Sequence, residues 1–293
     1  MVFWRSAAGV ALLLGFTGCG VPEDHPASTY QLRVTQVVGP SGAGDGDLVR
    51  RAVADAAGPA VWFSAEGPAL PADVRYARLA ATDGTAVLRV ELEVEVPAAV
   101  HNEVAPDLSA TVELTRIDGT IEVSRDLPVA IERTVAILDA RMTLARGDDA
   151  ARAALLLDTD PEIVVLTVNW IQTHRQRALA DAVAPLAASS VDAVALAAID
   201  CIGAVGGPEH AAQLVRHPKV ADRAHANRLY DTLANLGGEH AIGFLEFAAR
   251  NEEDPEMAGL AAHALVRARA QRGETVTPSA TPDRGHRFMG GDA

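Results

Sequence analysis

The strongest constraint on this chain's fold is a repeat. "VGGPEHAAQLV" at 205–215 and "LGGEHAIGFLE" at 236–246 are near copies, apart from an extra Pro208 in the first. Their glycine pairs, 206–207 and 237–238, lie 31 residues apart. Asp-Pro-Glu stands at 160–162 and again at 254–256, a separation of 94, close to three such steps. "RGDDAARAALLLDTDPE" (146–162) follows the layout of "GGEHAIGFLEFAARNEEDPE" (237–256): glycine, acid, short apolar helix, acidic turn, Asp-Pro-Glu. A fixed period of roughly 20–50 residues marks a stacked array, because one such unit cannot bury its apolar face alone.

The unit reads as two helices. Val191, Val194, Ala195, Ala198, Ile199, Ile202 and Val205 recur at helical spacing and predict the first. Gly206-Gly207 end it, since glycine takes the left-handed cap without strain. The second starts near Glu209, where a carboxylate favours the positive helix end, and buries Ala212, Leu214 and Val215. The next copy supplies Ala226, Leu229, Tyr230, Leu233 and Leu236, then Gly237-Gly238, then Phe244, Leu245 and Ala248. Asp160 and Asp254 are placed as N-caps, with Pro161 and Pro255 at the first helical position, where a missing N–H is tolerated. Pro185, inside the second helix expected at "DAVAPLAA", should kink that helix or delay its start.

On these residues the stretch 136–272 resembles the HEAT or armadillo-like helical repeat arrays. The resemblance implies an all-α solenoid of four to five helical hairpins with a period of about 31, atypical at its ends where one face lacks a neighbour. It also implies a long surface suited to binding proteins, and it assigns no catalytic residue.

Residues 30–135 carry a different period and read as an α+β domain of five or six strands and one helix. Leu88, Val90, Leu92, Val94 and Val96 keep one register, and Arg89, Glu91, Glu93 and Glu95 face the other way, which predicts a sheet with one wet face. Strands are also expected at "YQLRVTQVV" (30–38) and "AVWFSAEG" (60–67), with a helix at 45–58. Asp83-Gly84 and Asp118-Gly119 each separate two strand-like segments, so each predicts a hairpin turn. The second would join "LSATVELTR" to a strand at "TIEVSRDL". The Gly-rich loop at 39–47 stands where a phosphate cradle would. It lacks the Lys-Ser/Thr ending of such a cradle, and Asp45 and Asp47 repel phosphate.

The amino terminus addresses the chain. Arg5 precedes an apolar run from Ser6 to Phe16, too short to span a bilayer core that needs about 20 residues. Phe16-Thr17-Gly18-Cys19 resembles a bacterial lipobox, with Phe16 where Leu is usual. The resemblance implies a signal peptide over 1–18, cleavage before Cys19, and lipidation of Cys19. Residues 19–29 then form a lipidated tether. Gly20 after the cysteine, by the usual sorting rule, implies an outer-membrane anchor facing the periplasm. Residues 273–293, rich in Gly, Pro, Thr and Ser, are expected to be a disordered tail.

Charge narrows the partners. The chain carries −14 at pH 7, and losing residues 1–18 makes it one charge more negative. That repels nucleic acid and anionic headgroups, so the membrane is reached through lipid. Neither H-E-x-x-H nor G-x-S-x-G occurs. His210 and His240, each preceded by Glu, read as solvated residues at helix starts rather than metal ligands, since stacked repeats hold their rings apart unless His217, His225 or His263 bends in from another helix. Cys201, in an apolar helical stretch, reads as a small core residue. No catalytic residue, cofactor or metal is expected. The reading is an envelope scaffold or adaptor that binds other envelope proteins through its helices. The alternative is an enzyme or small-ligand binder, a lyase-like helical array, with a pocket between sheet and repeats. "NWIQTHRQR" (169–177), with Trp170, is a further candidate edge for a ligand, although Trp170 reads as core.

Overall fold

Alternating apolar residues build the first layer. In the computed structural model, which describes residues 29–272 except 41, 81–83, 103, 106–107, 118 and 217–222, four strands form one sheet. They are β1 (Gln31–Val38), β2 (Ala69–Ala80), β3 (Ala86–Val94) and β4 (Ser109–Arg116), in that spatial order. β1 runs parallel to β2, and the other neighbours are antiparallel. The parallel pair needs a crossover, and helix α1 (Gly46–Ala57) supplies it. The registers Val74↔Leu92 and Val90↔Val112 put apolar residues opposite one another. Leu70, Val74, Leu88, Val90, Leu92 and Val112 are buried, while Arg75, Arg89, Glu93 and Glu113 lie exposed on the other face. The wet face expected from the alternation of 86–96 is therefore present. Its charges pair across strands, Arg75 with Glu93 at 3.3 Å and Arg89 with Glu113 at 4.0 Å.

Two helices cover the apolar face. Val49 and Val53 of α1 and Leu127, Ile131, Val135, Leu138 and Met142 of α2 (Val123–Arg146) share a core with the strands. α2 corrects one expectation. No strand follows β4 to close a hairpin: Gly119, at φ 72°, leads towards α2, and "TIEVSRDL" enters the helix at Val123 instead of forming a strand. The alternation there lasts too short a distance to compete with the helical spacing of Val123, Leu127, Ala130 and Ile131, all buried on the sheet. Around Asp83-Gly84 a hairpin does form, but its ladder closes at Ala80↔Ala86, leaving a longer loop than a two-residue turn.

The segment 60–67 is a second correction. It forms no strand and makes a single bridge, Tyr30↔Phe63. Its amides have another partner: the Asp139 carboxylate of α2 accepts from Val61 N at 3.2 Å and Trp62 N at 2.7 Å. Trp62 Nε1 donates to Thr143 Oγ1, 3.0 Å away on the next turn of α2. The layer thus has four strands and two helices, not five or six strands and one. The joint expected near 135 falls inside α2, whose residues on both sides of it pack on the sheet.

Helices make up the remainder. α4 (Pro161–Thr173) packs on α2, α6 (Asp192–Val205) on α4, α8 (Arg223–Leu236) on α6, and α10 (Pro255–Gln271) on α8. Three short helices, α3 (Asp149–Leu155), α5 (Ala180–Val183) and α7 (Ala211–Leu214), and the full-length α9 (Gly238–Asn251) accompany this row. Their core is rich in alanine and poor in rings, with Ala198, Ala211, Ala234, Ala241 and Ala261 fully buried, so helices approach closely. At Gly203 a Cβ would sit 3.0 Å from Thr232 Oγ1, and that hydroxyl donates to Ile199 O at 3.1 Å, tying α8 to α6.

The caps follow the sequence closely. Asp160 and Asp254 accept from Glu162 N and Glu256 N, each at 2.9 Å, with the prolines where expected. Gly237 and Gly238 are left-handed at φ 65° and 82°, but Gly206 ends α6 in extended backbone. Pro185 does break its helix: α5 stops at Val183 and a 3-10 stretch continues over Ala184–Ala188. The second helix expected from Glu209 is shorter than a full helix, a 3-10 turn at Pro208–His210 followed by α7. Among the described residues no helix is long and apolar enough to cross a membrane. Cys19, the tether, His217 and the tail from 273 lie outside the described residues.

Candidate functional site

A recess opens where the two layers meet. Leu144 and Ala145 near the end of α2, Leu166 of α4 and Ala105 of the β3–β4 connection line a cavity of about 410 Å³. Arg141 of α2 and Trp170 and His174 of α4 complete it. A second cavity of about 360 Å³ shares Arg141 and Leu166 and continues along β4 past Thr111, Ile137, Val165 and Asn169, with Glu162 in its lining.

Local structure holds the walls in place. α4 ends at Thr173, and the His174 ring folds back so that Nδ1 lies 2.9 Å from Trp170 O. Since a carbonyl accepts, Nδ1 carries the proton. The imidazole stacks on the indole of Trp170, with ring centres 4.3 Å apart and planes 22° apart. Arg152 of α3 also sits over that indole, 4.7 Å from its centre, anchored by Leu144 O at 3.1 Å and Asp149 at 3.1 Å. Trp170 is thus a half-buried wall between layers rather than a core residue.

Arg133 of α2 locks the entrance of α4. Its guanidinium bonds both oxygens of Asp160, at 2.8 Å to Oδ1, and reaches Glu162 at 3.0 Å. This pairing, opposed by partial burial, holds the Asp160 carboxyl below its ordinary range and raises Arg133.

Other polar clusters are closed upon themselves. A polar groove of about 320 Å³ is lined by Arg175, Asp200, Arg228, Asp231 and Thr232. There Arg228 pairs with Asp200, Arg267 of α10 with Asp231, and Arg175 Nη1 donates to Ala204 O at 2.9 Å. Arg175 takes a left-handed φ of 53°, unusual for a side chain of its size, at the turn that follows α4. In the Gly-rich loop Asp45 accepts from the Tyr76 hydroxyl.

The histidines separate. His240 and His263 are exposed. His210 is not the solvated residue expected: it is buried, accepts from Gly207 N at Nδ1 (3.0 Å), and places Nε2 3.1 Å from Asp181. The reason is the 3-10 start of the second element, which turns the ring back onto its own entry loop. His225 is also buried, 3.8 Å from Asp192. No three His, Cys, Asp or Glu side chains among the described residues gather closely enough to hold a metal. Cys201 is fully buried in α6, and burial pushes its thiol up to about 12.

Sequence reasoning missed Arg141 and Leu166. Nothing in their neighbourhoods distinguishes them from other helix residues; their meeting depends on how α2 and α4 cross. No protein family matches the chain, and no characterised protein or solved structure matches it significantly.

Proposed function

We propose that the chain is a lipid-anchored envelope protein whose helices form a HEAT-like repeat array and act as a scaffold for other envelope proteins. One observation carries the array reading. The row α4, α6, α8, α10 begins at residues 161, 192, 223 and 255, at intervals of 31, 31 and 32, and each helix packs on the next. The same interval separates the glycine pairs in the sequence. A stack of this kind buries one side of each unit and leaves the helices' outer faces for a partner. Phe247 of α9 and Val266 of α10 support a binding role: both are large apolar residues exposed on helix surfaces, 64% and 46% accessible. Cys19 supplies the anchor in this reading, and the periplasmic side of the outer membrane is the expected location.

Two experiments test the proposal. Labelled palmitate should enter the wild type and not Cys19→Ser; label in both removes the anchor. Crosslinking in intact envelopes should trap one stoichiometric protein. That adduct should be lost with Phe247→Asp or Val266→Asp and kept with Arg89→Ala on the sheet's wet face. An adduct indifferent to both helix changes, or no adduct, overturns the scaffold.

A further inference from the structure

One edge of the sheet is left open. Val94 N donates to Leu108 O at 3.0 Å, and the β3–β4 register runs on from that pair through Leu92↔Ala110 and Val90↔Val112. Bonded pairs alternate along an antiparallel ladder. The even-numbered residues of β4 therefore turn their N–H and C=O to β3, and the odd-numbered ones turn theirs outward. Thr111, Glu113 and Thr115 are exposed, and their outward backbone groups have no partner among the described residues. We propose that this edge takes an extended basic segment of a partner protein as a fifth strand, with apolar side chains inward alternating with Lys or Arg on the wet side. The edge is separate from the helix faces, and the inference does not rest on the scaffold reading.

The opposite edge is blunted. Just before β1, Tyr30 N donates to Trp62 O and Tyr30 O accepts from Ser64 N, each at 2.9 Å, and a register shift between Val34 and Gln36 interrupts the ladder. Cover and bulges of this kind keep a foreign strand from pairing. β4 has neither, and holds one register against β3 over its whole length.

The side chains of an added strand have places to go. The cavity of about 360 Å³ beside Ser109, Ala110 and Thr111 is walled by Ile137 of α2 and by Val165 and Leu166 of α4. A strand laid on β4 continues the pleat, so its inward residues face these apolar walls. On the wet side Glu113 stands at the rim, and Arg89, 4.0 Å away, is too far to hydrogen-bond it. A Lys or Arg directly across from Glu113 gains a cross-strand pair. The chain's charge of −14 attracts a basic segment at longer range.

Fluorescence anisotropy tests this with the blocked, dye-labelled peptide Lys-Val-Lys-Val-Thr-Val-Lys and the full chain carrying Cys19→Ser, which has no acyl chain. The peptide should saturate at one per chain. Its fully N-methylated form, which offers the edge no donor, should not bind. The form with Glu in place of Lys should bind at least about tenfold more weakly. Thr111→Pro removes one outward N–H, leaves the β3–β4 ladder whole, and should weaken the Lys peptide about tenfold. Glu113→Lys should weaken the Lys peptide about tenfold and strengthen the Glu peptide. Gln31→Ala, at the opposite edge, should change nothing. Cooperative melting certifies each variant's fold, and the exposed Glu113 variant decides if Thr111→Pro fails to fold. No saturable binding, binding of the N-methylated form, or wild-type affinity in the folded edge variants overturns the assignment. A wild-type chain that sediments as a dimer, and as a monomer with Thr111→Pro, also overturns it and gives the edge to a second copy.

Discussion

Asp160 and Arg133 join the two layers through one carboxylate: Asp160 caps α4 by accepting from Glu162 N at 2.9 Å and, on α2, meets the Arg133 guanidinium at 2.8 Å. The same Asp-Pro-Glu grammar at 254–256 caps α10, where the neighbouring cation, Arg223, pairs with Glu256 instead.

That contrast sets the first prediction. Asp254→Ala should cost the loss of a cap, about 1 kcal/mol. Asp160→Ala should cost more, about 2–3 kcal/mol, since it also leaves Arg133 without its main partner. Urea midpoints with unchanged slopes would report both. Equal losses would mean that the ion pair adds nothing beyond the cap.

Asp126 sets the acid limit of the sheet layer. Its carboxylate accepts from Arg125 at 2.9 Å, Arg116 at 2.6 Å and Glu122 N at 2.9 Å, and these bonds hold it well below the usual carboxylate range against the opposing effect of burial. Half-exposed arginine side chains, not depth, close it from water, so solvent screens part of the gain. The folded value lies below the unfolded one, so the stabilisation is complete above about pH 4–5 and is lost as pH falls below it. Urea unfolding from pH 7 to pH 3 should therefore show a flatter acid limb in Asp126→Asn. An identical limb contradicts the role.

The two histidines of the repeated Glu-His pair should behave differently. His210→Ala leaves Gly207 N and a buried site unsatisfied and should cost about 1–3 kcal/mol. His240→Ala changes an exposed residue and should stay within about 0.5 kcal/mol. Melting temperatures of the two single variants decide it; equal shifts would refute the burial of His210.

Cys201 should be inert in the folded chain. With its thiol pushed up to about 12 and fully buried, almost no thiolate forms at pH 8. A Cys19→Ser chain treated with a disulfide-exchange reagent should react only on adding denaturant. Full reaction under native conditions would place Cys201 outside the core.

Local periodicity and capping were legible along the chain. Alternation in 86–96 set a strand with one wet face, apolar residues at helical spacing set α6 and α8, and Asp-Pro-Glu set two helix starts. These follow from backbone periods of two and 3.6 residues and from capping within one turn, all carried by neighbours in the chain. Long-range packing settled which of several competing partners each segment met. Residues 60–67 had the composition of a strand, but Asp139, far along the chain, takes the Val61 and Trp62 amides. "TIEVSRDL" could alternate or coil, and from Val123 onward its apolar side packs on the sheet as helix. His210 became buried because a 3-10 turn, not a full helix, follows Gly207. The recess depends on Ala105, Arg141 and Leu166 arriving together from three separate segments. Such meetings depend on how layers cross, a property of packing between distant surfaces that no local period encodes.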